Sequence, residues 1–357
     1  MLVKKITIKK YEQPKIPNER KEKVLDRIRK KFRSTHPVSI CLCMIVKNES
    51  KNMVRLLNSV KSIIDFISIT DTGSSDNTEE IIKNWGSENK IPTAIHKEPF
   101  RNFGYNRTFS FQAAKKSFPN ATYALLSDAD FKWEIDEEFD KNSLVRPFYY
   151  VKQYNDFCSY WNIRLIDMKY NWECKGVTHE YWECVDIVTT DDRYKLDKIK
   201  INDIGDGGCK ADKYVRDERL LREGIKTETN QRLVTRYTFY LAQTLRDMKK
   251  FEDAIIWYKE RIKQGGWFEE VFYSYYQIGR CYNFMGNLEK AKEYYLKAYE
   301  YNKKRSEPLY HLICILIKEG KLEEVKKYVE IAKTIQPPED QVLFIERECY
   351  RLFGFNC

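Results

Sequence analysis

Two aspartates one residue apart close an apolar run in Tyr123-Ala124-Leu125-Leu126-Ser127-Asp128-Ala129-Asp130-Phe131, and this placement constrains the fold more than any other stretch. The run predicts a buried strand. The strand runs straight into the acidic residues, and alternation along it sends Asp128 and Asp130 to one side, with Ala129 adding no bulk between them. At the C-terminal end of a strand in an open α/β sheet, that side opens on the crevice where ligands bind. Paired carboxylates there suit a hard divalent cation such as Mg²⁺ or Mn²⁺, which prefers oxygen ligands. Taken alone, the same triplet is equally an acidic turn after a strand.

The preceding chain supplies a framework for that crevice. Residues 38–46 (VSICLCMIV) read as a strand covered on both faces, as in a parallel sheet. Lys47-Asn48-Glu49-Ser50 follows it, and residues 52–64 carry apolar side chains at helical spacing. A second strand, residues 66–70, runs into Asp71-Thr72-Gly73-Ser74-Ser75-Asp76-Asn77-Thr78. There Gly73 permits a tight turn and Asp76 is suited to capping a helix that starts near Glu79. Asp71 lies at the strand end, where a carboxylate can accept hydrogen bonds from a base or ribose. A third strand is expected near residues 92–96. Residues 103–110 then lead into a helix ending near Lys116, with Arg107 in its first turn, able to reach a phosphate or simply to face solvent. Strand, helix, strand, helix, strand predicts a parallel Rossmann-like sheet with its polar loops along one edge.

Composition excludes several classes. Aromatic residues at 14% and hydrophobic residues at 42% rule out a disordered chain, although 32% of residues are charged. The net charge of +10 favours anionic ligands, but the charges are interspersed. No basic stripe with stacking aromatics points to nucleic acid. No apolar run is long enough for a transmembrane segment, and the basic N-terminus lacks the apolar core of a signal peptide, so a cytoplasmic location is expected. A short basic helix is expected at residues 22–32 (EKVLDRIRKKF). The ten cysteines lack Cys-x-x-Cys spacing and read as free thiols, which speaks against a structural zinc site.

The blocks CMIVKNES, ITDTGSSDNTEEII, NFGYNRTFSFQAAK and YALLSDADF together resemble the nucleotide-sugar-binding half of the inverting glycosyltransferases of family 2, which have the GT-A fold. The resemblance implies a nucleoside-diphosphate sugar, UDP-sugar favoured, as donor, and Mn²⁺ or Mg²⁺ as cofactor. It implies that Asp71 contacts the nucleoside and that Val46, Asn48 and Glu49 border the base. Arg107 then lies near the diphosphate, and Asp128 and Asp130 contact ribose and metal. The acceptor implied is a glycan or glycoprotein.

Residues 148–154 and 160–167 read as aromatic-rich strands that either stack on a sugar or fill a core. Residues 171–182 (NWECKGVTHEYW) resemble a block of one family branch. In it His179 is a candidate third metal ligand, or a histidine satisfied in the core, and Glu180 is the candidate catalytic base, ahead of Asp206 and Glu183. The Gly-rich stretch 202–213 (NDIGDGGCKADK) is either a phosphate-covering loop or a plain linker, and a helix is expected from Lys213 to Ile225.

From about Leu233 the pattern is helical. Gly286-Asn287-Leu288-Glu289-Lys290-Ala291 and Gly320-Lys321-Leu322-Glu323-Glu324-Val325 lie about 34 residues apart, the tetratricopeptide period, and Lys250-Phe251-Glu252-Asp253-Ala254 fits as an earlier copy. Residues 341–355 would form a capping helix. Such repeats either dock a protein partner or pack on the catalytic domain. The expected division is a basic extension (1–36), a GT-A glycosyltransferase domain (37–210) and a helical-repeat domain (211–357). Two rivals remain open: a non-catalytic repeat scaffold carrying a nucleotide-sugar-binding domain, and a sugar nucleotidyltransferase. The latter class usually opens with a Gly-rich phosphate loop, where this chain has Lys47-Asn48-Glu49.

Overall fold

The computed structural model describes residues 37–156, 159–187, 194–207 and 212–351. The basic helix expected at residues 22–32 lies outside them, as does part of the Gly-rich stretch. The described residues divide into two compact units: those within 37–101, 106–174 and 182–207 in the first, and those within 102–105, 175–181 and 212–351 in the second.

The first unit is built on β1 (Ile40–Val46), β2 (Phe66–Asp71), β3 (Thr93–Lys97) and β4 (Tyr123–Leu126), which run parallel in the order β3-β2-β1-β4. Registers align Val46 with Asp71 and Asp71 with Lys97, so β1, β2 and β3 finish level and open their trailing loops at one edge. Helix α1 (Met53–Val60) buries Met53, Leu56, Leu57 and Val60, an i, i+3, i+4, i+7 stripe that explains its packing. Helices α2 (Thr78–Glu88) and α3 (Phe103–Ser117) complete the β-α alternation.

Beyond β4 the sheet continues as β7-β6-β10-β5, with β5 (Phe131–Ile135), β6 (Phe148–Tyr154), β7 (Ser159–Asp167) and β10 (Lys195–Asp203). Strand β7 is antiparallel to β4 and to β6, β10 is parallel to β6, and β5 pairs antiparallel with β10 at the far edge. A separate two-stranded sheet joins β8 (Trp172–Lys175) and β9 (Tyr181–Cys184). The Rossmann-like parallel half is as expected; the far half is mixed because β7 runs against β4 and β6 and β5 runs against β10, and the half-exposed β5 and β10 carry a weak sequence signal.

One expectation is corrected here. The chain does not run as a single strand from Tyr123 through Phe131: β4 ends at Leu126 and β5 begins at Phe131, four places along the sheet order at its far edge. Asp128 and Asp130 lie in the connecting turn, closed by the Phe131 amide donating to the Asp128 carbonyl at 3.2 Å. Alternation along a strand therefore does not set their directions; the turn does.

The second unit is a run of helices: α4 (Lys213–Thr227), α5 (Gln231–Asp247), α6 (Phe251–Gln264), α7 (Phe268–Phe284), α8 (Leu288–Tyr301), α9 (Glu307–Lys318), α10 (Leu322–Ala332) and the short α11 (Glu348–Arg351). Three tight corners repeat. The Lys250, Asn287 and Lys321 amides donate to the Leu245, Tyr282 and Leu316 carbonyls at 2.9, 2.9 and 3.0 Å. The residue before each adopts the left-handed conformation, with φ of 60° at Lys249, 76° at Gly286 and 71° at Gly320. The first copy therefore does fit the repeat, with a lysine in the glycine position. Gly279 lets α7 and α8 approach, since a Cβ there would sit 2.6 Å from Tyr295 Cδ1.

The capping helix expected over residues 341–355 is shorter. Within the described residues it is helical from Glu348 to Arg351 alone, because the backbone before it is held otherwise. Fully buried Arg305 donates to the Leu343 and Phe344 carbonyls at 3.1 and 3.0 Å, and the Glu269 carboxylate accepts the Val342 and Leu343 amides at 2.8 and 2.7 Å. Arg305 is itself neutralised by buried Glu307 at 2.7 Å, so its charge is not buried alone. No helix among the described residues is long and apolar enough to cross a membrane.

Candidate active site

The loops after β1 and β2 are stitched together by short polar side chains. Asn48, at φ 55°, donates its amide to Ser74 Oγ at 3.0 Å, and its Oδ1 accepts the Ser75 amide at 2.7 Å. The Glu49 amide donates to Thr78 Oγ1 at 2.8 Å and the Ser50 amide to Asp76 Oδ2 at 3.1 Å. Asp71 Oδ1 accepts the Gly73 and Ser74 amides at 2.9 and 2.7 Å, so this carboxylate shapes its own turn. Asp76 caps the first residue of α2, accepting the Thr78 amide at 3.1 Å. Desolvation opposes its ionisation, and the hydrogen bonds from Thr78 and Ser50 outweigh it, holding the carboxyl at about 2. Val46 ends β1 with its carbonyl accepting the Thr72 amide at 2.9 Å.

The segment after β10 joins the same edge. Asn52 Nδ2 donates to Glu49 Oε2 at 2.9 Å and to the Asp206 carbonyl at 3.3 Å, while Arg55 grips both Asp206 oxygens at 2.8 and 2.6 Å. Gly207 follows, and a Cβ on it would lie 3.2 Å from Asp130 Oδ2 and 3.3 Å from Glu49 Oε1. Thus Glu49, from the β1 loop, and Asp130, from the turn after β4, face one spot. The Ile204 amide also donates to the Asp130 carbonyl at 3.3 Å.

The two aspartates of the turn differ in charge environment. Arg107 donates to Asp128 Oδ1 at 2.6 Å and Arg164 lies 3.5 Å from Asp128 Oδ2. Burial alone would push the Asp128 carboxyl up, but these arginines carry it below the ordinary aspartate value. Asp130 is pushed up to about 6, first by burial and then by the like charges of Asp128, Asp203 and Glu49. Arg107 stands in the second turn of α3 rather than the first, since the helix starts at Phe103.

Residues 41–140 match the glycosyl transferase family 2 model, and residues 272–305 match a tetratricopeptide repeat. The chain carries a family 2 glycosyltransferase domain followed by tetratricopeptide-like repeats. No curated protein matches it. Similar solved structures include a MamA RS-1 double mutant, with 16% identity, 33% of this chain and 64% of that one covered, and a TM-score of 0.29. MamA from Desulfovibrio magneticus RS-1 gives 17%, 36%, 70% and 0.28. A tetratricopeptide repeat protein from Parabacteroides merdae ATCC 43184 gives 18%, 39%, 50% and 0.31. The chain spans less than two thirds of the length of the first of these.

Within the glycosyltransferase domain, the structure brings Glu49, Asp128, Asp130 and Arg107 together, with Val46 and Asp71 at the ends of β1 and β2 and Asn48 in the turn after β1. His179 and Glu180 fall in residues 175–181, which group with the helical unit. There the His179 ring stacks on Tyr240 at 3.9 Å and its carbonyl accepts from Arg236 Nη2 at 2.8 Å. Desolvation of the stacked face, then the Arg236 and Lys213 charges, hold the imidazole well below the ordinary histidine value, although the residue keeps solvent-exposed surface. Glu180 packs across the Gly176 turn, where a Cβ would meet its Cα at 3.3 Å. Of the other candidate bases, Asp206 is bound to Arg55, and Glu183 lies on β9.

Sequence reading missed Arg164, which is buried on β7 and donates to Gln153 Oε1 at 2.7 Å, while Gln153 Nε2 donates to Asp203 Oδ2 at 2.9 Å. The relay ties β7, β6 and β10 to Asp128. One signal was present: a lone arginine between Ile163 and Leu165 in an apolar strand needs a buried anionic partner.

Proposed function

We propose that this protein is a metal-dependent glycosyltransferase that moves a sugar from a nucleoside-diphosphate sugar, a UDP-sugar by resemblance, to an acceptor hydroxyl with inversion. The observation that carries the reading is the unequal carboxylate pair at the rim: Asp128 is neutralised by Arg107 and Arg164, while Asp130 faces Asp128, Asp203 and Glu49. A buried carboxylate set against three like charges is what an added cation would relieve. The carboxylate oxygens fit Mn²⁺ or Mg²⁺, and Asp130 with Asp128 would hold the ion. When bound, such an ion offsets charge on phosphoryl oxygens.

The chain's own groups take the remaining tasks. Arg107, held in place on Asp128, supplies a guanidinium for the diphosphate as charge grows on it. Asp71 and the turn it shapes serve the nucleoside, with Val46, Asn48 and Glu49 beside the base. Glu180 takes the proton of the acceptor hydroxyl as its oxygen bonds to the anomeric carbon and the bond from that carbon to the diphosphate breaks. His179 adds a neutral imidazole to the cation's ligands. Glu180 and His179 enter through the sequence block they occupy. The acceptor is a glycan or glycoprotein, and the helical repeats serve as a surface for a protein partner.

The test is incubation of the full chain with UDP-, GDP- and dTDP-sugars and Mn²⁺. Release of a nucleoside diphosphate supports the transferase. Formation of pyrophosphate from a sugar phosphate and a nucleoside triphosphate supports a nucleotidyltransferase, and neither product supports a scaffold.

A further inference from the structure

Within the helical unit, His311 on α9 and Glu346 and Cys349 from the C-terminal segment bring an imidazole nitrogen, a carboxylate oxygen and a sulfur within 4.8 Å of one another. His311 Nε2 lies 3.8 Å from Glu346 Oε2, too far for a hydrogen bond, and is a buried nitrogen with no hydrogen-bond partner. Cys349 Sγ lies 4.0 Å from the same oxygen. A buried, unpartnered imidazole nitrogen costs free energy unless something fills its lone pair. The other carboxylate oxygen, Glu346 Oε1, is taken by Arg280 Nη1 at 3.1 Å, which fixes the carboxylate with Oε2 toward the histidine. Tyr276 and Tyr295 pack on the imidazole, each with ring centroids 5.6 Å away, and Tyr310 lies at 5.1 Å, so its orientation is set by packing.

We propose that Nε2 of His311, Oε2 of Glu346 and Sγ of Cys349 form a structural Zn²⁺ site that fastens the C-terminal segment to α9. Zinc bonds of about 2.0–2.3 Å to N, O and S place tetrahedral ligands about 3.3–3.6 Å apart, so the 3.8 and 4.0 Å spacings need to contract by about half an ångström and the third, bounded at 4.8 Å, by at most about 1.2 Å. The donor mixture suits Zn²⁺ rather than Mg²⁺ or Ca²⁺, which avoid thiolates. Binding replaces the Cys349 proton, released to solvent, and gives a neutral set of Zn²⁺, carboxylate and thiolate. Water fills the fourth position. The missing Cys-x-x-Cys spacing excludes a four-thiolate site and leaves this mixed one untouched. The segment to be fastened is non-helical before Glu348, and a metal clamp there adds to the Arg305 and Glu269 contacts.

The test uses the full chain, purified with Zn²⁺ and dialysed, with bound metal measured by mass spectrometry. The expected result is one tightly held zinc per chain in wild type and in Cys281→Ser, a buried cysteine outside the cluster, and loss of that zinc in Cys349→Ser and in His311→Gln. Replacement by Co²⁺ is expected to give a thiolate-to-metal absorption band that Cys349→Ser removes. Circular dichroism shows whether each variant is folded, and two ligand variants on different elements keep the test open if one is not. Zinc retained equally by both folded ligand variants, or wild type without zinc or a thiolate band, overturns the site. A band from thiolate also separates it from any ion held by Asp128 and Asp130, which bring no sulfur.

Discussion

Asp130 is the residue on which the site turns. Its carboxyl is raised to about 6 by burial and three neighbouring carboxylates, so above that pH it is ionised against an electrostatic cost. In metal-free protein at pH 7.5, Asp130→Asn is expected to stabilise the fold by about 1–2 kcal/mol, allowing for partial exposure. Added Mn²⁺ should stabilise wild type and leave the variant unmoved; thermal unfolding with and without Mn²⁺ checks both. Asp76 works in the opposite sense. Its carboxyl is depressed to about 2, so the stability it contributes is present above about pH 4 and is lost as pH falls from about 4 to about 2. Because it is exposed, the difference between wild type and Asp76→Asn should be below about 1 kcal/mol at pH 7 and vanish near pH 2, as read from urea unfolding across that range. At this scale Asp71, Asp128 and Asp130 were legible, since each stands within a few residues of the end of an apolar run. Arg164 and Gln153 were not, because their role depends on β6 and β7 meeting β4 and β10 in space.

At the scale of elements, regular signals were read and irregular ones were not. Strands β1, β2, β6 and β7 carry dense apolar or aromatic runs, and α1 carries a clean apolar stripe, so pattern sufficed. The turn holding Asp128 and Asp130 reads as strand in the sequence because local alternation gives no hint that the chain leaves β4 for the far edge of the sheet. The shortened capping helix follows from long-range capture of backbone by Arg305 and Glu269, which no local rule reports. The first helical repeat was harder to align because Lys249 stands where the later copies have Gly286 and Gly320. Its left-handed φ of 60° costs a non-glycine residue free energy. Lys249→Gly is expected to raise stability by about 0.5–1 kcal/mol, measured as a higher urea midpoint with unchanged slope. An unchanged or lower midpoint would place the corner elsewhere than drawn.

For the whole molecule, a glycosyltransferase domain and a set of helical repeats each hold their own apolar core. The net charge of +10 agrees with an anionic donor without choosing one. The account rests on loops from β1, β2 and β4 sharing an acidic edge that holds a cation and, through it, a nucleotide. Calorimetric titration of the full chain with UDP, with and without Mn²⁺, in wild type and in Asp130→Asn, measures this most directly. The account predicts that UDP binds wild type at least tenfold more tightly with Mn²⁺, a gain of about 1.4 kcal/mol or more, and that Asp130→Asn loses that gain while remaining folded. Equal UDP affinity with and without Mn²⁺, or a full metal effect in Asp130→Asn, would contradict it.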